Sequence, residues 1–557
     1  MADAFFDLLF WVVFRGSELS FEIAERDLAG RIGKLRTKSG EVETPALLPV
    51  INPLLQPISP KILKDRFAFK ALITNAYIIS KNLKEEAVSL GIHRILDFDR
   101  VIMTDSGAYQ NLIYGKVDTT VEEITRFQED IGTDIAVILD VPTGWKTTRE
   151  KAAWSVEETL RRAQRTIKIR NDNGILWVGP IQGGRYLELV TYSAKRMGEL
   201  PFDIYALGSP TKIMEQYFFD ILVDMIFVTK TNLPLDRPLH LFGAGHPLVF
   251  AMAVALGCDL FDSAAYALYA RNGRYMTEYG TSRIEKLEYL PCSCSICSKY
   301  SPSEIRDMFP KDREKALAEH NIYQCQAEIR RIKQSIVEGR LWELLESRAR
   351  SHPTLLQAFR KFDKYSTYLE KNTPTSKRRG LFYFDSSGIS RPEIVRHRRQ
   401  ISEKYVTPEE RKLLLLLPQT LNKPFHTTNE YGRVFKTLRS IGKQEYEKTE
   451  ICAYAVPFGV VPLEIDEIYP LSQFEATSPF DEESVKYVCS QVKSYISSRN
   501  FTTVLLHYDR QWGANLLEAC RKACKQTGKD LLISYRGKRP WSRKAFEKLE
   551  EALKSIK

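Results

Sequence analysis

The chain has 557 residues, 43% hydrophobic and 27% charged, and Lys and Arg exceed Asp and Glu by 81 to 70, a net charge of +11. That length excludes a single core and points to two or three domains, while the composition is ordinary for a soluble globular protein. The modest basic excess suits a polyanionic partner, or simply a solvated basic surface.

In chain order, the first apolar stretch is "FFDLLFWVVF", within an extension over residues 1–19. It is too short to span a bilayer and Asp7 interrupts it. No basic segment precedes it and no small-residue cleavage site follows, so it reads as a packed helix or a misassigned start. A cytosolic protein with no membrane contact is expected. "FEIAERDLAGRIGKLRTKSGEVETP" follows as hairpin material. Between about residues 46 and 263, eight short apolar runs alternate with helical patterns. The runs are "ALLPVI", "ALITNAYII", "VIMTDSG", "DIAVILDVP", "LWVGPIQG", "IYALGSP", "LHLFGAG" and "LFDS". Continuous apolar strands separated by helices indicate a parallel sheet buried on both faces, and this number of units is what a (β/α)8 barrel requires. An open doubly wound sheet is the alternative.

After the barrel comes the cluster "CSCSICSKY" and a charged helical appendage over 303–371. Cys292, Cys294 and Cys297 have C-x-C-x2-C spacing, and His320 follows at the end of a helical stretch. Three thiolates and one imidazole complete a closed tetrahedral shell, so a single structural Zn2+ is expected at about 290–322. The other six of the nine cysteines are scattered, which argues against a disulfide framework. Pro374 and the run Lys377-Arg378-Arg379 mark a linker over 373–400, closing a catalytic domain that runs from 20 to 372. From 401 to 557 a smaller α/β domain is predicted, with strands "KLLLLLP", "ICAYAVP", "TTVLLHY" and "DLLISY" and helices at about 482–498, 513–527 and 542–556.

In a barrel, the residues at strand ends converge on one face. Those residues are Asn75, Asp105, Asp140, Gln182, Gly208, His246 and Asp262. Any one Asp there can be a helix N-cap. Together they suggest a carboxylate site able to hydrolyse or exchange a glycosidic bond, with configuration retained if two carboxylates lie about 5 Å apart. Asp and Gln also suit the edge of a purine-like base, on which Tyr109 or Tyr266 could stack. Asp262, followed by small residues, reads as a nucleophile aimed at a sugar.

The blocks "TPALLPVINP", "MTDSGAYQ", "ILDVPT", "GPIQGG", "LFGAGHPLVFAMAVALGCDLFDSAAYALYARNGRYMT" and "PCSCSIC" resemble the archaeal tRNA-guanine transglycosylases over roughly residues 20–370. The resemblance implies a TIM barrel with a zinc subdomain, and exchange of guanine at position 15 of the tRNA D-loop for 7-cyano-7-deazaguanine, a step toward archaeosine. It places the nucleophile at Asp262, the general acid/base at Asp105, and base recognition at Asp140, Gln182, Gly183, Gly208 and Ser209, with Tyr109 beside them. Arg271 and Arg274 are candidate tRNA contacts. Where the family has Gly-Gly, this chain has "LGSPT".

Archaeal members carry a PUA domain that grips tRNA, and the sequence here shows no such all-β ending. That role is expected from a separate PUA-domain protein or from the basic C-terminal domain, and a homodimer is a further candidate assembly. The C-terminal region resembles the middle of archaeosine synthase, so a synthase-like paralogue and a non-catalytic tRNA-binding subunit stand as alternatives. The Asp105/Asp262 pair, and the absence of the synthase's Pro-Cys-Ser motif after residue 400, favour the transglycosylase.

Overall fold

All eight apolar runs contain strands in the computed structural model of the protein, which describes residues 20–108 and 119–556. A three-stranded antiparallel meander comes first, β1 (Phe21–Asp27), β2 (Gly30–Thr37) and β3 (Gly40–Thr44). The runs then give β4 (Ala46–Ile51), β5 (Ala71–Asn75), β6 (Val101–Asp105), β7 (Ile135–Val137), β8 (Leu176–Ile181), β9 (Ile204–Leu207), β10 (Leu239–Leu241) and β11 (Leu260–Ser263). These close into a barrel in chain order, each parallel to its neighbours, and β11 returns to β4 through Asp262 opposite Leu48. The closed ring decides against the open doubly wound sheet. The strands are Val-, Ile- and Leu-rich because both faces are covered, by one another inside and by helices outside. The helix Val121–Asp130 shows how such elements start: Thr120 and Glu123 form a reciprocal capping box.

Alternate residues of each strand face the barrel interior. Leu48, Ile73, Met103, Val137, Val178, Ala206 and Leu260 form one buried cluster there with Phe21, Leu35 and Val42 of the meander, which therefore plugs one end. The plug is fastened by Arg31 of β2, which donates to both carboxylate oxygens of buried Asp259 at 2.7 and 2.8 Å. Asp259 immediately precedes β11, so the meander covers the end where strands begin and leaves the opposite mouth free.

Beyond β11 a small hairpin, β12 (Arg274–Thr277) and β13 (Gly280–Arg283), precedes a long helix, Pro310–Glu338. The chain divides into two compact units between Lys361 and Phe362. The second is built on a five-stranded sheet of β15 (Leu413–Pro418), β16 (Thr449–Ala455), β17 (Gly459–Pro462), β19 (Thr503–Asp509) and β20 (Asp530–Gly537), ordered β17-β16-β15-β19-β20. Only β17 is antiparallel, and β14 (Leu381–Tyr383) pairs with β18 (Phe474–Ala476) separately. Leu414 to Leu417 are fully buried, so the leucine run is a central strand. Residues 373–400, expected as a linker, instead carry β14 and the helix Pro392–Glu403, whose Ile394 lies in this unit's core. Of the basic run, Arg378 and Arg379 are exposed, whereas the Lys377 side chain is buried with its Nζ 2.6 Å from the Glu393 carboxylate. Among the described residues no helix is long and apolar enough to cross a membrane.

Candidate active site

The inward periodicity that fills the barrel also builds the site. Stepping two residues on from Ile73, Met103 and Leu260 reaches Asn75, Asp105 and Asp262 at the open mouth. Asn75 lies opposite Asp105 in the β5–β6 register and donates from Nδ2 to its carboxylate at 3.2 Å. Its Oδ1 meanwhile caps the next helix by accepting from Ile78 N at 2.9 Å.

Asp262 is held through one oxygen. Oδ1 accepts from the backbone N of Gly243 and lies against Nε2 of His240, both at 2.9 Å. Among the described residues, Oδ2 accepts no bond. His240 is fully buried on β10, and its Nδ1 has no partner, so Nε2 is the ring nitrogen that meets Asp262. Gly243 has φ of +69°, and a Cβ there would lie 2.6 Å from Thr211 Oγ1, so glycine is required for this amide to reach Asp262. His240 lies inside β10 rather than at its end, so the strand-end pattern does not mark it. The available signal was one histidine inside the otherwise apolar "LHL".

Asp105 is surrounded by like charge. Burial, then the carboxylates of Asp140 and Asp262, push its carboxyl up to about 7. Asp140 is itself raised to about 6 by burial, although its bond to Gln182 opposes the shift. A carboxyl that titrates near neutrality can both give and accept a proton. Gln182 donates from Nε2 to Asp140 Oδ2 at 2.6 Å, and its Oε1 accepts from Thr143 N and Ser209 Oγ, each at 3.0 Å. Gly183 N donates to Thr143 Oγ1 at 3.3 Å. Gly208 has no room for a side chain, since its Cβ would lie 2.3 Å from Gln182 Nε2. Ser209 occupies the left-handed region at φ of +61°, a conformation that suits glycine, and its hydroxyl compensates by joining Gln182 and Thr143.

Other expected residues do not join this cluster. His246 instead caps the helix Pro247–Ala255, accepting from Leu248 N, and its Nε2 lies 2.8 Å from Thr281 Oγ1; burial lowers its pKa to about 4. Tyr266 is 2% exposed and donates to Val50 O, so it has no free face for a base. Arg271 pairs with Glu314 at 3.2 Å, and Arg274 lies 5.0 Å from the Tyr269 ring centre; both remain exposed. Tyr109 and the extension over 1–19 lie outside the described residues.

The four zinc-spaced residues come together in space. The ligand atoms of Cys292, Cys294, Cys297 and His320 all lie within 4.8 Å of one another. Cys294 and Cys297 sulfurs are 3.6 Å apart, and His320 Nδ1 lies 3.6 and 3.3 Å from them. Zn2+ at about 2.3 Å from sulfur and about 2.0 Å from nitrogen needs comparable spacing. His320 Nε2 is 2.8 Å from Met276 O, which fixes the tautomer and leaves Nδ1 as the donor atom. Gln324 donates to Cys292 Sγ at 2.9 Å. The cluster can hold one metal ion with no ligand position left open. Asn321 accepts from Met276 N at 2.9 Å and donates to Tyr266 O and Arg274 O at 3.2 Å each, tying the helix that carries His320 to the segment after Asp262.

A family model described as queuine tRNA-ribosyltransferase matches residues 27–354. The chain belongs to the tRNA-guanine transglycosylase family. A second model, described as a domain of unknown function, matches residues 394–553. The tRNA-guanine(15) transglycosylase of Methanocaldococcus jannaschii is 43% identical over 84% of this chain and 70% of its own length. The enzymes of that name from Sulfolobus acidocaldarius and Saccharolobus solfataricus are 40% and 43% identical, over 89% and 87% of this chain and 98% and 96% of their own lengths. As a member of this family the chain is a pentosyltransferase that exchanges guanine in tRNA.

Proposed function

We propose that the chain replaces guanine 15 of tRNA with 7-cyano-7-deazaguanine by double displacement, in the cytoplasm. The observation that carries the mechanism is the meeting of Asp262, anchored by Oδ1 alone, with an Asp105 that titrates near neutrality. In the first half, Asp262 Oδ2 attacks the ribose C1′. The new C–O bond forms as the bond from C1′ to guanine breaks, guanine takes the electron pair, and Asp105 supplies its proton. In the second half, ionised Asp105 takes the N–H proton of the incoming base. That nitrogen attacks C1′ and releases the Asp262 carboxylate, so configuration is retained. His240 and Gly243 N aim the nucleophile. Asp140, Gln182 and Ser209 present an acceptor and donor pattern to the base edge, and Gly183 and Gly208 leave room for it. Cys292, Cys294, Cys297 and His320 would hold Zn2+ in a closed shell, where it would supply rigidity rather than a reacting group. Arg271 and Arg274 offer charge to the tRNA backbone.

The test is incorporation of labelled guanine or 7-cyano-7-deazaguanine into unmodified tRNA by wild type and Asp262→Ala. Uptake by wild type that is lost in the variant supports the assignment; equal uptake by both overturns it. Inactive wild type rescued by cell extract would point to a partner such as a separate PUA-domain protein. Failure even with extract would move the reading toward the synthase-like or non-catalytic alternatives.

A further inference from the structure

Beside the base-edge residues stands an aromatic group that the reaction above does not use. Three loops leave the open mouth after β7, β8 and β9, and each contributes. Trp145, two residues beyond Thr143, is only partly buried, and its ring centre lies 5.4 Å from that of Phe218. Arg185, two residues beyond Gly183, is exposed, with its guanidinium 6.0 Å from the Trp145 ring centre and 5.3 Å from that of Tyr186. Phe218 is 37% exposed and Tyr217 42% exposed. Tyr217 sits at φ of +59°, a costly conformation for a bulky residue, and its ring stacks on His352 at 4.8 Å.

The group is fixed to the base pocket. Tyr186 OH donates to Thr147 O at 3.0 Å, closing the β7 and β8 loops together. Thr143 and Gly183, which anchor those loops, are already bonded to each other. Among the described residues no carboxylate pairs with Arg185. A guanidinium with no carboxylate partner, lying against partly exposed rings, is well suited to nucleobases, which stack on aromatic faces and on guanidinium planes alike.

We infer that Trp145, Arg185 and Phe218 form a stacking platform for an unpaired base of the RNA next to the exchanged guanine. A base taken out of a loop leaves its neighbour unstacked, and a platform beside the pocket recovers part of that cost. This assignment rests on the tRNA substrate of the proposed function but not on which base is inserted. It concerns RNA grip rather than chemistry, so these are positioning residues.

The experiment compares wild type, Trp145→Ala, Trp145→Phe, Arg185→Ala and Arg185→Lys in binding of unmodified tRNA and in exchange kinetics. One stacked base contributes roughly tenfold or more in affinity. The alanine variants should therefore bind tRNA about tenfold more weakly and show a KM for tRNA raised in proportion, with the KM for the free base unchanged. Trp145→Phe should recover most of the loss, and Arg185→Lys only part, since an ammonium has no plane to stack. Unchanged tRNA binding in both alanine variants would overturn the platform. If Trp145→Ala fails to fold, Arg185→Ala and Arg185→Lys decide the question by the same comparison. Failure of the exchange reading shows separately, as absent incorporation by wild type while tRNA binding still depends on these side chains.

Discussion

At the residue scale, the site stores unfavourable electrostatics. Asp105 and Asp140 are raised to about 7 and about 6, against roughly 4 for a free Asp. A carboxyl raised on folding stabilises the native state below its unfolded pKa, and that contribution is lost as pH rises through its folded pKa. The window here runs from about 4 to about 7. Asp105→Asn should therefore melt a few degrees above wild type at pH 8 and level with it at pH 4, while losing exchange by roughly a hundredfold or more. A variant that is no more stable at pH 8 would refute the burial and like-charge account of Asp105. Asp140→Asn removes one of the negative charges that raise Asp105. The acidic limb of its kcat–pH profile should move to lower pH, and a limb that stays put would mean the two carboxylates are not coupled.

At the element scale, the helix Pro310–Glu338 carries His320, Asn321 and Gln324, so a single element supplies a metal ligand, the bonds to the hairpin after Asp262, and a donor to a metal thiolate. Cys294→Ser should lower Tm by roughly 5–10 °C, chelator should do the same to wild type, and chelator should add little to the variant. A soluble, metal-free Cys294→Ser protein with wild-type Tm would contradict the structural role. The ligands were legible in the sequence because thiolate spacing is a local constraint. Asn321 and Gln324 were not, since their partners lie 45 and 32 residues away along the chain and nothing local marks the pairing. The linker expected at 373–400 misled for the opposite reason: one member of a local basic run, Lys377, is buried against Glu393 while Arg378 and Arg379 stay exposed.

At the scale of the whole molecule, the net charge of +11 bears on a polyanionic substrate. tRNA affinity should fall steeply with added salt, linearly in log–log form with a slope set by the phosphates neutralised, and a flat dependence would count against a phosphate-led grip. The sequence by itself indicated eight alternating strand and helix units, a second α/β unit, and Asp105 and Asp262 among the strand-end candidates. Strand and helix periods are local, and a closed parallel barrel sends every strand end to one face. It also picked out, through spacing, the Cys3His cluster that can hold a metal ion. Only the tertiary structure decided which strand-end residues face inward together and which cap helices, as with Asp262 against His246. It alone brought His240 against Asp262, pushed Asp105 toward neutrality, and assembled Trp145, Arg185 and Phe218 from three loops. Each of these depends on burial and on contacts between residues distant in sequence, and neither quantity is encoded in any local pattern.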